Sequence, residues 1–243
     1  MANRVALITG GSRGIGAAIA ERLARDGFDI ALSYARNQAK ADEVVALIEA
    51  AGRKALAIKA DGSTVAGNQK VVAETVSHFG RIDALVCNAG TYPYQTIDKA
   101  NISDIENVLN LNIRAVMVET HEALQHMQSG GRIVLMGSAF AGRAPFPGLS
   151  LYSATKASLR GFAQGAARDL GPSGITINVV EPGPIDTDLN PANGQGADVL
   201  AAFVASGKYG VVNDISRTVA FLVSPDAGYI NGAAIPVDGG LLA

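Results

Sequence analysis

Val5-Ala6-Leu7-Ile8-Thr9-Gly10-Gly11-Ser12-Arg13-Gly14-Ile15-Gly16 opens as a short apolar run and breaks into glycines. Beyond it, apolar residues at Ile15, Ala18, Ile19, Leu23 and Ala24 keep the spacing of an amphipathic helix as far as Arg25. The reading is strand, turn, helix. Glycines let the backbone of such a turn approach a bound group closely, and the free N–H groups of a helix start attract an anion. The spacing Gly10-x3-Gly14-x-Gly16 is not the G-x-G-x-x-G dinucleotide fingerprint, so the flanking strand and helix carry as much of the assignment as the glycines.

The same unit recurs along the chain. Asp29 to Tyr34 and Gln38 to Ala51 read as strand and helix, as do Lys54 to Ala60 and Asn68 to Phe79. Ala84 to Cys87 is a fourth buried strand closing on Asn88-Ala89-Gly90, and Asp104 to Gln128 is one long or two successive helices containing Asn112. Arg132 to Met136 is the fifth strand and ends at Gly137-Ser138; Ala139 to Leu149, with its prolines and glycines, is a loop. A helix from Tyr152 to Leu170 and a strand from Ile175 to Val180 follow, and Pro182-Gly183-Pro184-Ile185-Asp186-Thr187 breaks regular structure. Residues 188–210 turn loop-like around a short helical pattern, Val199 to Val204, and are expected to form a lid over a substrate. A helix from Asp214 to Val223 and a strand from Ala234 to Val237 finish the chain. Strands alternating with helices imply an α/β fold: one doubly wound Rossmann domain over 1–243, with a parallel sheet of about seven strands flanked by helices and right-handed crossovers.

Composition narrows the function classes. Hydrophobic residues make up 48% and charged residues 17%, which excludes a disordered chain and suits a sheet covered on both faces. With 20 Lys plus Arg against 22 Asp plus Glu and no basic run, neither nucleic acid nor an anionic membrane is an expected partner. Cys87 is the only cysteine, so there is no intrachain disulfide and no cysteine-based metal site; it reads as a buried strand residue, and no metal is expected. Val5 to Ile8 is too short for a signal-peptide core, and no apolar stretch approaches the ~18 residues of a membrane span, so a cytoplasmic protein is expected. His78, His121 and His126 fall in helical patterns away from strand ends and read as surface or packing residues.

Two further features carry chemistry. Tyr152 and Lys156, in Leu151-Tyr152-Ser153-Ala154-Thr155-Lys156-Ala157, stand four residues apart in a helical segment and share a face. At about 4 Å and an effective dielectric of about 20, a lysine cation supplies about 4 kcal/mol to a phenolate, roughly three pKa units before desolvation subtracts its share. Such a tyrosine would exchange a proton near pH 7. Second, dinucleotide folds specific for NAD carry an acid at the end of the second strand for the ribose hydroxyls, whereas a 2′-phosphate requires a cation. Tyr34-Ala35-Arg36-Asn37 has no acid there, so Arg36, aided by Arg13, is expected to hold a phosphate dianion, favouring NADP(H) with NAD(H) second.

Thr9 to Gly16, Asn88-Ala89-Gly90, Asn112, Ser138, Tyr152-x3-Lys156, Asn178 and Pro182 to Thr187 together resemble the short-chain dehydrogenase/reductase family over nearly the whole chain. The resemblance implies hydride transfer between a nicotinamide and a carbonyl or alcohol carbon. It implies Tyr152 as the acid in reduction, Lys156 lowering its pKa and binding the nicotinamide ribose, Ser138 on the substrate oxygen, and Asn112 supporting a water that links the lysine to solvent. For the cofactor it implies Gly10, Ser12, Arg13, Gly14, Ile15 and Gly16 at the turn, Asp61 at the adenine, and Ile185 and Thr187 on the carboxamide. Gly62, Asn88, Ala89, Gly90, Pro182 and Gly183 complete the expected contacts.

Ser138 and Tyr152 are 14 apart where many relatives have 13, so one extra residue is expected to bulge from the loop and alter the pocket. The 3-oxoacyl-carrier-protein reductases carry carrier-docking arginines near positions occupied here by Ser129 and Ser173, which weakens that alternative. Residues 176–194 are similar to bacterial biofilm-dispersal members described as binding cyclic di-GMP, a rival ligand, although no Arg-x-x-Asp pair occurs. Phe146, Leu149, Leu189 and Phe203 are expected as apolar walls for a small, largely apolar ketone or aldehyde. A late apolar helix, Ile215 to Val223, and the strand Ala233 to Val237 suggest, through the same resemblance, a homotetramer.

Overall fold

The computed structural model describes residues 3–243. β1 (Arg4–Ile8) is apolar and buried beyond its first residue, which suits only an inner strand. On one side it pairs in parallel with β2 (Phe28–Tyr34), and β2 with β3 (Ala55–Lys59). On the other side come β4 (Ala84–Cys87), β5 (Arg132–Met136), β6 (Thr176–Pro182) and β7 (Ala234–Val237), again parallel. The seven-stranded sheet therefore runs β3-β2-β1-β4-β5-β6-β7. Chain direction across the sheet reverses between β1 and β4, and a crevice opens beyond their carboxyl ends, where ligands of such sheets bind.

The helices are α1 (Gly14–Arg25), α2 (Gln38–Ala50), α3 (Val65–Phe79), α4 (Ile102–Leu109), α5 (Ala115–Leu124), α6 (Ser150–Leu170), α7 (Ala197–Ala202) and α8 (Val212–Leu222). Ile19 and Leu23 of α1, Val44 and Ile48 of α2, and Ile215 and Val219 of α8 form the core on one face of the sheet. Val71 and Val72 of α3, Val116 and Ala123 of α5, and Leu159 and Ala163 of α6 form the core on the other. Both faces are covered, as the 48% hydrophobic content requires.

Two expectations change in detail. The stretch from Asp104 to Gln128 is two helices joined by a π-helical turn, Asn110–Arg114, which carries Asn112. Such turns widen the helix by one residue and re-aim a side chain. β6 runs through Pro182 rather than stopping before it, because β7 pairs with it to the end, Pro182 opposite Val237. α8 packs on α1, with Ile215, Val219 and Leu222 buried within the chain. Among the described residues no helix is long and apolar enough to cross a membrane.

One ion pair fixes α6 to the sheet. Arg160 donates from Nε to Glu181 Oε1 at 2.6 Å and from Nη2 to Oε2 at 2.7 Å, a two-pronged contact to a carboxylate wholly buried on β6. Removing the guanidinium would strand that charge in a dry place. Arg160→Ala is therefore expected to lower the unfolding free energy by about 3 kcal/mol, read as a lower urea midpoint at unchanged slope. A midpoint equal to that of the parent chain would remove the pair from the list of what anchors this helix.

Candidate active site

The turn after β1 is shaped by what its glycines must avoid. Gly10 adopts φ +65, and a Cβ on it would stand 3.0 Å from Ala89 Cα. A Cβ on Gly16 would run into Gly10's carbonyl oxygen and stand 2.6 Å from Asn88 Nδ2, so α1 can start this close to β1 and β4 only with glycine there. Gly14, at φ +55, faces Thr187, whose Cγ2 would be 3.6 Å from its Cβ. Asn88 donates from Nδ2 to the carbonyls of Thr9 (3.0 Å) and Gly10 (3.1 Å), tying the β4 end to the turn. Asn37, Thr64 and Asn101 cap α2, α3 and α4 with a side-chain oxygen, whereas Arg13 gives α1 no such bond. The first N–H groups of α1 therefore lie at the cleft without a side-chain acceptor.

Around the end of β2, Arg13 and Arg36 are both exposed, beside the turn, and Arg36 helps draw the Asp61 carboxyl below its usual range. The larger cause there is Ser63, whose hydroxyl and N–H both donate to Asp61 Oδ1, at 2.7 and 2.9 Å. Asp61 thus shapes its own turn, and neighbouring Gly62 faces Leu111 of the π-helical turn. A third cation, Lys40 in the first turn of α2, donates to Asp188 at 2.8 Å, and Arg13 also bears on that carboxylate. Lys40 was not evident from the sequence because its partner lies 148 positions away.

Tyr152 and Lys156 do share the inner side of α6, with Lys156 buried and its Nζ 5.8 Å from the centre of the Tyr152 ring. The expected lowering of the tyrosine pKa does not occur between these two groups. Lys156 Nζ donates to the Met136 carbonyl at 2.7 Å, with its nitrogen 5.8 Å from the ring centre. Burial pushes the Tyr152 phenol up, opposed by the Ser138 hydroxyl, and burial pushes Lys156 down to about 8. Desolvation, not attraction, governs both.

Ser138, buried at the end of β5, reaches Tyr152 in spite of the longer connecting loop, and its Oγ also accepts the Phe140 N–H at 3.1 Å. The Asn112 side chain makes three hydrogen bonds: Oδ1 accepts from Thr91 N at 2.8 Å, and Nδ2 donates to Thr91 O at 2.9 Å and to Thr155 Oγ1 at 3.1 Å. It braces the loop after β4 against α6. Gly90 sits between them, its Cβ position 3.2 Å from Asn112 Oδ1 and 3.5 Å from Lys156 Nζ.

On the far side of the cleft, Gly183 packs on Asp238 so tightly that a Cβ would overlap it. Pro184 O accepts from Gly210 N and Asp186 N donates to Gly210 O, both in 3.0 Å or less, so the N–H and C=O of Ile185 point the other way. The Ile185 side chain is buried in the core. Its backbone, not its side chain, is what this stretch can offer a ligand.

Aromatic rings close the mouth. Tyr92 stands edge-on to Tyr152 with centroids 4.7 Å apart, Tyr94 lies nearly parallel to Tyr92 at 6.1 Å, and Phe146 meets Phe203 edge-on at 5.2 Å. The Tyr92 phenol is pushed up to about 12 by desolvation and then by Tyr152, Tyr94 and Tyr209, which places four phenols together. Of the expected walls, Phe146 and Phe203 pair as described, Leu149 is packed inside and Leu189 faces solvent. Tyr92 and Tyr94, not singled out from the sequence, stand two and four residues beyond Asn88-Ala89-Gly90, a proximity that signals their place at the cleft.

Comparison with known proteins bears on this geometry. The family model described as short chain dehydrogenase matches residues 4–198. The chain is 39% identical to hydroxynaphthalene reductase arp2 of Aspergillus fumigatus, over 96% of this chain and 90% of that protein. It is also 39% identical to the cyclic-di-GMP-binding biofilm dispersal mediator protein of Escherichia coli, over 97% of this chain and 96% of that protein. A short chain dehydrogenase from Burkholderia cenocepacia, solved in complex with NADP, superposes with a TM-score of 0.97 at 48% identity, covering 99% of this chain and 98% of the other. The chain belongs to the short-chain dehydrogenase/reductase family.

Proposed function

We propose that this protein is an NADP(H)-dependent reductase of a ketone or aldehyde, with Tyr152 as general acid/base. The observation that carries the reading is the convergence of the Tyr152 phenol, the Ser138 hydroxyl and the Lys156 ammonium at one end of the same crevice that holds the glycine turn. The residues fit a dinucleotide: Gly10 and Gly16 keep the cleft wall to bare backbone, and the start of α1 presents free N–H groups to a pyrophosphate. Arg13, Arg36 and Lys40 provide cations for a 2′-phosphate, and the backbone of Ile185 has a donor and an acceptor for a carboxamide, with Thr187 beside it. When bound, the reduced nicotinamide supplies the hydride.

The chain's own part is proton delivery and charge stabilisation. Because burial raises the Tyr152 pKa, the phenol is protonated at neutral pH, the form that reduction of a carbonyl requires. Ser138 donates to the substrate oxygen as negative charge gathers there. Lys156, at about 8, is mostly charged at pH 7 and offsets the phenolate once the proton has left. Asn112 holds the Thr91 loop and α6 in register so that this arrangement persists.

The walls argue for a compact aromatic or otherwise apolar carbonyl compound. Tyr92, Tyr94, Phe146 and Phe203 offer ring faces and edges, and the segment 188–210 that carries Phe203 serves as the cover. One relative's name, hydroxynaphthalene reductase, agrees with that chemistry. The other relative's name makes cyclic di-GMP the second ligand to titrate. The protein is read as a cytoplasmic homotetramer. Exposed apolar residues Leu109 and Met117 flank a groove on the outer side of α4 and α5, and β7 leaves one sheet edge open, surfaces that a copy could cover. Light scattering should give four chains' mass at micromolar concentration; a stable monomer would refute the assembly.

Tyr152→Phe removes one hydroxyl. Turnover of an aryl ketone, followed by NADPH absorbance, is expected to fall by about a hundredfold to ten-thousandfold, with NADPH binding retained. Parent-level turnover by this variant would end the acid/base assignment. Arg36→Asp replaces a cation by an anion and is expected to weaken NADPH by at least about tenfold relative to NADH. Unchanged relative dissociation constants would place the 2′-phosphate elsewhere.

A further inference from the structure

Beneath the glycine turn lies a carboxyl that the reaction above does not use. Glu119 projects from α5 and is 2% exposed. It accepts from the Thr9 hydroxyl (Oγ1 to Oε2, 3.3 Å) and from the Cys87 thiol, both buried at the carboxyl ends of β1 and β4. Thr9 is the pivot of the cleft. Its Oγ1 also accepts the N–H groups of Asn88 at 3.1 Å and Ala89 at 3.2 Å, which seats the β4 end against the turn. We propose that Glu119 is a positioning residue for the nucleotide-binding turn, acting through Thr9, and that its protonation couples cofactor affinity to pH. This rests on the dinucleotide reading of the cleft.

The direction of each hydrogen bond explains the coupling. An ionised Glu119 only accepts, so Thr9 commits its proton to the carboxylate and turns its lone pairs to Asn88 and Ala89. A protonated Glu119 is a weaker acceptor than the carboxylate. Its hold on the Thr9 hydroxyl loosens, and with it the orientation of the oxygen that seats the β4 end against the turn. Desolvation pushes the carboxyl up to about 7, opposed by Cys87 and Thr9, so both forms are populated at neutral pH. The titratable group facing it from β4 is Cys87, whose thiol burial pushes well up and out of this range. β1 presents only the Thr9 hydroxyl, and α3, packed on α5, presents buried Asn68 and Thr75, which do not titrate. On α5 itself the buried neighbour is uncharged Thr120, while His121 is exposed and Glu122 accepts from Gln69.

Stability should move the opposite way. A carboxyl whose folded pKa lies above its unfolded value binds its proton more tightly in the fold, so folding loses stability as pH rises from the unfolded value through about 7. Glu119→Gln fixes a neutral amide there. The full chain and this variant are titrated with NADH, which lacks a 2′-phosphate of its own to titrate, between about pH 6 and about pH 8.5, with thermal melting alongside. Lys156 titrates in both proteins, so the difference between them isolates Glu119.

Wild-type affinity should fall as pH drops through about 7, while Glu119→Gln should bind about tenfold more weakly than wild type at high pH and converge with it at low pH. The variant should also melt higher than wild type at high pH. A merely structural carboxylate would lose both together. Thr9→Val provides the second arm, and should weaken NADH and reduce the pH dependence to that of Glu119→Gln even with Glu119 in place. Equal affinities of wild type and Glu119→Gln at every pH, or an undiminished pH dependence in Thr9→Val, would overturn the proposal while leaving the cofactor reading intact. Failure of the wild type to bind NADH and NADPH alike would overturn both.

Discussion

The closeness of α1 to the ends of β1 and β4 is the constraint on which the rest of the molecule turns. Position 16 has room for a hydrogen atom and nothing more, since Gly10's carbonyl and Asn88's amide occupy the space a side chain would need. That closeness lets one asparagine reach two successive carbonyls of the turn, and lets a threonine hydroxyl collect the two N–H groups beyond β4. A helix set even a little further out would leave those groups to water and widen the crevice beyond the reach of a backbone cradle.

Lys156 and Glu119 both lie buried near this crevice, and desolvation moves them in opposite directions by the same physics. Lys156 is pushed down to about 8 and Glu119 up to about 7, so at neutral pH neither is fixed in a single charge state. Each keeps neutral partners: a main-chain carbonyl for the lysine, a hydroxyl and a thiol for the glutamate. Such partners soften burial without cancelling charge. The Arg160–Glu181 pair is the contrast, a fully matched couple whose work is to hold a helix in place.

The fold was legible almost to the residue where the pattern was local. The bounds of β4, β5 and β7 agree with the reading of apolar runs between glycines, and the strand-helix alternation implied the parallel sheet. What the sequence could not display was direction and distance. Four-residue spacing placed Tyr152 and Lys156 on one face, but a helical face is wide enough for the ammonium to settle on Met136's carbonyl rather than on the phenol. Asn112 was singled out by resemblance, whereas its bracing of Thr91 and Thr155 depends on a π-helical turn with no propensity signature. Glu119 and Lys40 were invisible for a simpler reason: each becomes notable through partners distant in sequence, Thr9 for the glutamate and Asp188 for the lysine.

Ser138 and Tyr152 are held by different parts of the scaffold, one at the end of a strand and the other on a helix clamped to β6 by Arg160. The ends of the connection between them, residues 139–149, share in that placement, Phe140 through its N–H to Ser138 Oγ and Leu149 by its burial ahead of the helix. Its exposed middle, Gly142 to Ala144, has room to take up a change of length such as the additional residue here, while both side chains stay where strand and helix hold them. On the proposed reading of the cleft, a loop redrawn between these two anchors would change the guest more readily than the groups that meet it.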